Sequence, residues 1–207
     1  MRVLDLAAGT GRMTGHLVEA GAEVVAVEPS EAMRATFAEV LPGVPVRPGT
    51  AEEIPYRDAS FDAVVVAQAF HWFDPPAALR EIARVLRPGG ALALAWNERD
   101  ESGPDAVELS AVTEWTTMKP YDVGRDFRVD LDASGLFELA RRRQFLWSDR
   151  LTHDQLAERI GTFSYVNAMA EDERQALFGR VRAHLAGRPD PLDVAYVTDT
   201  FVARTRS

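Results

Sequence analysis

The sequence contains no cysteine and only one lysine, Lys119. Without thiols there is no disulfide, no thiol nucleophile and no thiolate metal site, and the reducing cytoplasm is the expected setting. No apolar run approaches the length that spans a bilayer. The N-terminus shows no charged leader followed by an apolar segment, so the expectation is a soluble protein without a membrane partner. Positive charge is also scarce: 23 basic residues against 32 acidic ones leave a formal net charge of -9. That balance disfavours a nucleic-acid partner, which usually meets a basic face. The one basic run, Arg141-Arg142-Arg143, reads as a solvated strand edge. His16, His153 and His184 are far apart and match no ligand spacing, so no metal site is expected.

What is present is a chain of 207 residues, 46% hydrophobic and 27% charged, enough for one substantial α/β domain. Short apolar runs alternate with amphipathic ones. Strands are expected at Arg2 to Leu6, Glu23 to Val27, Val44 to Arg47, Phe61 to Ala67 and Ala91 to Trp96. Helices are expected between them. Met13, Leu17 and Val18 form the apolar face of the first, Met33, Phe37, Val40 and Leu41 that of the second. The third opens at Pro75-Pro76 and carries Leu79, Ile82, Ala83 and Leu86, with Pro88-Gly89-Gly90 as a stop. Strict alternation implies a parallel sheet with right-handed crossovers. Beyond residue 97 the pattern loosens. Helices are expected at Asp105 to Met118, Val129 to Ser134, Thr152 to Ile160 and Asp172 to Leu185, and strands at Leu136 to Trp147 and Leu192 to Arg204. The last two strands are expected to pair antiparallel around an inserted helical pair at about 152–186. The whole reads as a single domain, 1–207, with halves at 1–97 and 98–207, and no internal repeat.

The chain is organised around Val3-Leu4-Asp5-Leu6-Ala7-Ala8-Gly9-Thr10-Gly11-Arg12, an apolar strand, a glycine-bearing turn and a helix start. Such a turn is expected to offer bare amide N–H groups and a helix N-terminus to an anionic or polar ligand. Glu28 closes the next strand about twenty residues on, where a carboxylate takes ribose hydroxyls in dinucleotide folds. The pattern is nucleotide-shaped.

Six stretches in this order resemble the class I S-adenosylmethionine-dependent methyltransferases, in the small-molecule branch related to the trans-aconitate type. They are Leu4 to Gly11, Val27-Glu28-Pro29-Ser30-Glu31-Ala32-Met33, Gly49-Thr50-Ala51-Glu52-Glu53-Ile54-Pro55, Ser60-Phe61-Asp62, Gln68-Ala69-Phe70-His71-Trp72-Phe73-Asp74, and Glu81 to Gly90. The resemblance implies a Rossmann-like, mostly parallel seven-stranded sheet of order 3-2-1-4-5-7-6, the last strand antiparallel, with helices on both faces. It implies S-adenosylmethionine as methyl donor and S-adenosylhomocysteine as product. It assigns Asp5, Ala7, Gly9, Gly11, Glu28, Pro29, Met33, Thr50, Ala51, Glu52 and Gln68 to the cofactor: the loop under the methionine end, Glu28 at the ribose, Met33 on the adenine face, Thr50 and Ala51 at the adenine edge. Ala7 stands where the family has its first glycine, and Thr50 where it often has aspartate. Relatives usually carry tens of residues before the first motif, forming helices that cover the site. This chain begins one residue before its first strand, from which either a chain cut short or a site open on one side is expected.

His71, Trp72 and Tyr165 are the candidate substrate-pocket residues. His71 is also a candidate general base, because imidazole titrates near neutrality. The alternative for that cluster is a packed aromatic corner with His71 bonded to backbone. Methyl transfer to a small-molecule acceptor, at oxygen or carboxylate, is the leading functional reading. One alternative is a cofactor-binding protein without chemistry, completing its site across a homodimer. A nicotinamide oxidoreductase is a further one, disfavoured by His16 and Gly15 at the expected third glycine and by the absence of a Tyr-x-x-x-Lys pair.

Overall fold

The computed structural model describes residues 1–100, 102, 109, 127–162, 166 and 169–206. The helix expected at Asp105 to Met118 lies outside the described residues. Three β-rich runs, β1 (Arg2–Leu6), β2 (Glu23–Val27) and β4 (Phe61–Ala67), form the centre of a parallel sheet, with Leu4 opposite both Val25 and Val64. Their residues are buried on both faces, which is why they read as continuous apolar runs rather than alternating ones. β3 (Val46–Arg47) is only two residues long and lies at one edge. It is shorter than the sequence suggests, and Pro45 and Pro48 flank it, leaving few amides for a ladder.

Helix α1 (Arg12–Glu19) lays Met13 and Leu17 against Val3, Ala63 and Val65. Val18, expected on that face, is turned outward and exposed; the buried position is Thr14. Helix α2 (Glu31–Val40) is capped by Ser30, whose hydroxyl accepts from the Met33 amide, and it buries only Phe37, leaving Met33 and Val40 exposed. Helix α3 (Pro75–Val85) starts with proline where the missing N–H has no helical partner, and it buries Ala78, Leu79, Ile82 and Val85.

The fifth strand differs from expectation. β5 spans Leu86–Arg99, so Pro88-Gly89-Gly90 is not a stop but lies within the strand. Between the pairs Phe61↔Leu86 and Ala63↔Ala91 the β5 chain uses five steps against two, a bulge that Gly89 accommodates at φ 75°. Helix α4 (Phe127–Ser134), β6 (Phe137–Leu151), α5 (His153–Gly161), α6 (Glu171–Leu185) and β7 (Leu192–Thr205) complete the order. Thr152 caps α5 in a reciprocal box with Gln155, as its position in the sequence predicts.

The seven strands lie in the order β3-β2-β1-β4-β5-β7-β6. β7 runs antiparallel to β5, with Asp100 bonded to Ala195 and Gly89 to Thr205, and antiparallel to β6, with Thr200 bonded to Arg143 and Arg206 to Leu136. The expected Rossmann-like fold is thus the observed one. β6 is the other edge; it is exposed along most of its length, and Arg142 there pairs with Asp199 of β7.

Two compact units are present. One comprises Met1–Trp96, Asp126–Arg143 and Asp199–Ser207; its core on one face of the sheet is built on Leu4, Leu6, Val64, Val66, Ile82 and Leu94. The other comprises Asn97–Arg125 and Gln144–Thr198; its core joins Leu156, Ile160, Leu177, Val181 and Leu185 to Val194 and Tyr196. No described helix is long and apolar enough to cross a membrane.

Gly11 sits at φ 91°, and a Cβ there would stand 2.8 Å from Leu41 Cδ1 and 2.9 Å from Phe37 Cδ2. Gly11→Ala is therefore expected to destabilise by about 2–4 kcal/mol in urea titration. Gly15→Ala, inside α1 with nothing within 4 Å, is expected to be neutral or to stabilise by up to about 1 kcal/mol.

Candidate functional site

Ligand clefts in open α/β sheets lie at the carboxyl ends of the strands. Here β1, β2 and β4 end around a cavity of about 450 Å³, within the roughly 300–1,000 Å³ of small-molecule sites. Glu28, immediately after β2, is on its wall and is itself 5% exposed. Its Oε2 accepts from the Gly9 amide at 2.9 Å and its Oε1 from the Ser30 amide at 2.9 Å. Two amides from two different turns thus offset the cost of burying the charge and fix the carboxylate's plane. A carboxylate has about four acceptor positions, so roughly two remain for a ligand. Arg34 Nη1 donates to the Glu28 and Pro29 carbonyls and holds the turn from outside.

Three amides of the β1–α1 loop, those of Ala8, Gly9 and Gly11, are not bare, contrary to the sequence expectation. Ala8 donates to Val27 O, Gly9 to Glu28 and Gly11 to Ala8 O. Such groups are seldom left unpaired when partly buried, and here Val27, Glu28 and the loop itself supply the acceptors. What it offers instead is a bare backbone: a Cβ on Gly9, at φ 58°, would meet only Met33 Sδ at 4.0 Å. Ala7 and Gln68, both on the cavity wall, are held at φ 59° and 58°. Non-glycine residues at positive φ cost energy and cluster at functional sites.

The third side is the 49–53 turn. Thr50 Oγ1 accepts from the Glu53 amide at 3.2 Å, and Ala51 is buried. Glu52 is also on the wall; its Oε1 accepts from the Asp74 amide at 3.0 Å and ties the turn to the start of α3. Beyond the wall, Arg84 binds the Ile54 and Tyr56 carbonyls, Asp58 and Glu81, while Glu81 accepts from the Ile54 amide.

Most sequence candidates meet here: Ala7, Gly9, Glu28, Pro29, Met33, Thr50, Ala51, Glu52, Gln68 and Trp72 all line the cavity. Asp5 and Gly11 do not. Asp5 lies beneath, 1% exposed, accepting the Thr14 hydroxyl and amide and so bracing the first turn of α1, whose N-cap Gly11 has no side chain. Gly11 serves the α1–α2 approach. His71 belongs to the 3₁₀ turn Phe70–Trp72 but is not on the cavity wall; its ring lies 5.0 Å from that of Trp72. Burial pushes its pKa down to about 4, so the imidazole is neutral at pH 7. Tyr165 lies outside the described residues. Phe73, which continues the His71-Trp72 cluster expected at the pocket, and Gly49, to which the sequence reading gave no role, also form walls. The signal for Gly49 was its place between Pro48 and Thr50: a Cβ there would stand 2.7 Å from Pro55 Cδ. Among the described residues no cluster of three or more His, Asp or Glu could hold a metal ion.

Residues 4–94 match the family described as "Methyltransferase domain". An uncharacterized methyltransferase of Mycobacterium tuberculosis is 42% identical over 205 residues, covering 95% of this chain and 80% of that one. The malonyl-[acyl-carrier protein] O-methyltransferase of Methylococcus capsulatus is 33% identical over 144 residues, 67% of this chain and 52% of that one. Among solved structures, Haemonchus contortus phosphoethanolamine N-methyltransferase 2, in complex with phosphomonomethylethanolamine and S-adenosylhomocysteine, shares the fold at TM-score 0.58 and 17% identity. That likeness covers 100% of this chain and 49% of that one.

Burial raises the Asp5 pKa from 3.8 to about 6, against the opposing hydrogen bonds from Thr14. A carboxyl with a higher pKa folded than unfolded takes up its proton on the native side first. Its contribution to stability therefore grows as pH falls from about 6 towards 4 and is least favourable above 6. The stability of Asp5→Asn relative to wild type is expected to rise by about 1–3 kcal/mol between pH 4 and pH 7 in urea titrations. A constant difference would mean that Asp5 titrates normally.

Proposed function

The chain belongs to the class I S-adenosylmethionine-dependent methyltransferases, and from that premise we propose that it methylates an oxygen of a small molecule, with a carboxylate as the preferred acceptor. S-adenosylmethionine, when bound, supplies an electrophilic methyl group on a sulfonium. The residues present fit it. Glu28 keeps acceptor positions for two ribose hydroxyls, the Gly9 backbone is open to close approach, and Met33, Thr50 and Ala51 line the same cavity. Gln68 and Ala7 edge the end assigned to the methionine part. The aromatic faces of Trp72 and Phe73 favour a neighbouring positive charge.

The observation that carries the choice of acceptor is the lack of a base on the described wall. Its only ionisable side chains are Glu28 and Glu52, both tied to backbone amides. His71, neutral with a pKa near 4, is a weak base at pH 7. A hydroxyl acceptor needs its proton removed as the bond forms; a carboxylate arrives already ionised, and its charge is complementary to the sulfonium. What remains for the protein is alignment and exclusion of water. The O-methyltransferase relative from Methylococcus capsulatus is consistent with an oxygen acceptor. The net charge of -9 opposes a nucleic-acid acceptor.

Calorimetry with S-adenosylhomocysteine is expected to show binding that Glu28→Ala weakens at least about a hundredfold, since two charge-assisted hydrogen bonds are lost. Because Glu28→Ala also strands the Gly9 and Ser30 amides, Glu28→Gln serves as the milder companion, with an intermediate loss. With a carboxylate acceptor, kcat/KM is expected to stay flat from pH 6 to pH 8, and His71→Asn to keep kcat within about tenfold. A limb near pH 7, or a loss of the roughly 100- to 10,000-fold that a general base contributes, would point to a hydroxyl acceptor instead.

A further inference from the structure

A second cavity, of about 490 Å³, has a wall distinct from that of the Glu28 cavity. Arg2 begins β1 and Ser60 precedes β4, while Arg47 ends β3 beside Val27, and no described residue lines both this cavity and the Glu28 cavity. Three of its wall residues are arginines, Arg2, Arg47 and Arg57, and two bear hydroxyls, Tyr56 and Ser60. Tyr56 and Phe61 meet edge to face with centroids 5.0 Å apart, and each ring carries a guanidinium. Arg47 Cζ is 4.7 Å from the Tyr56 centroid, and Arg2 Cζ is 5.2 Å from that of Phe61. Stacking of this kind holds the planar donor forks in place before any ligand arrives.

The charge of this cluster is only partly answered within the protein. Arg2 has Glu23 at 3.4 Å. The nearby acids Asp58 and Asp62 pair with Arg84 and Arg87. Among the described residues neither Arg47 nor Arg57 has a carboxylate at ion-pair distance, although the chain has nine more acids than bases. Burial pushes the Tyr56 pKa up despite Arg47 and Arg2 drawing it down, so its hydroxyl remains a donor.

We propose that this cavity binds the phosphate group of a small molecule, held by Arg47 and Arg57 with Arg2 behind them. Three guanidiniums and two hydroxyls present more donors than the two oxygens of a carboxylate can accept. A phosphate, with three terminal oxygens and up to two charges, uses them more fully.

Calorimetric titration of the whole chain with pyrophosphate at fixed ionic strength tests this. Saturable binding is expected, weakened at least about tenfold in Arg57→Gln and in Arg47→Gln. S-adenosylhomocysteine affinity should be unchanged in Arg57→Gln, since Arg57 is not on the wall of the Glu28 cavity. The Arg57 side chain is exposed and makes no hydrogen bond or ion pair among the described residues, so Arg57→Gln stands as the test even if Arg47→Gln folds poorly. The proposal is overturned by any of three results: no binding at millimolar pyrophosphate, undiminished binding in Arg57→Gln, or succinate binding as tightly as pyrophosphate.

Discussion

The geometry of the Glu28 cavity depends on one hydrogen bond, from the Gly9 amide to Glu28 Oε2. It joins the turn after β1 to the turn after β2, and it can form only if the β1 turn passes close to the acid without a side chain in between. A buried carboxylate without donors would be costly, and two amides make it tolerable. The consequence is a division of labour. Loop amides that might have held an anion are engaged with Val27, Glu28 and the loop itself. At Glu28 the site therefore presents an acceptor to its ligand. A vicinal diol, which donates two O–H groups side by side, is the natural complement of a carboxylate fixed in this way.

Backbone conformation is the second constraint. Ala7 and Gln68 both occupy the left-handed region, one at the end of β1 and the other at the end of β4, two adjacent strands of the sheet. Each costs about 1–2 kcal/mol relative to an ordinary conformation. The buried strands behind them, with Leu4, Leu6, Val64 and Val66 in one core, supply the rigidity that holds those turns in place. Strain at the cavity and packing beneath it are two parts of the same arrangement.

Much of this was legible in the sequence because the relevant signals are local. Runs such as Phe61 to Ala67 can satisfy both faces only inside a sheet, and Ser30 and Thr152 announce the helices they cap. Glu28 was recognisable from its place after the second strand. What stayed hidden depends on partners distant in sequence. Nothing around Gly9 states that its amide is engaged, because the acceptor is nineteen positions away. Val18 fits the helical period as well as Leu17 does, yet only the placement of α1 on Val3 and Ala63 decides which of them is covered. Pro88-Gly89-Gly90 carries every mark of a stop, and only the pairing of Leu86 with Phe61 draws it into β5. Asp5 looks like a ligand-facing acid, whereas the Thr14 hydroxyl draws it beneath the floor.

Arg84 has an effect on traffic through the Glu28 cavity. Its guanidinium fastens the Ile54 and Tyr56 carbonyls to a helix whose Ile82 and Val85 are wholly buried, so the far end of the turn bearing Thr50 and Ala51 is riveted to the core. That wall is a hinge post, not a door. Met33 and Trp72 also line the cavity, and both side chains are exposed to solvent. A guest entering or departing would push those two side chains aside, and the rate of exchange would follow how readily a thioether and an indole swing clear.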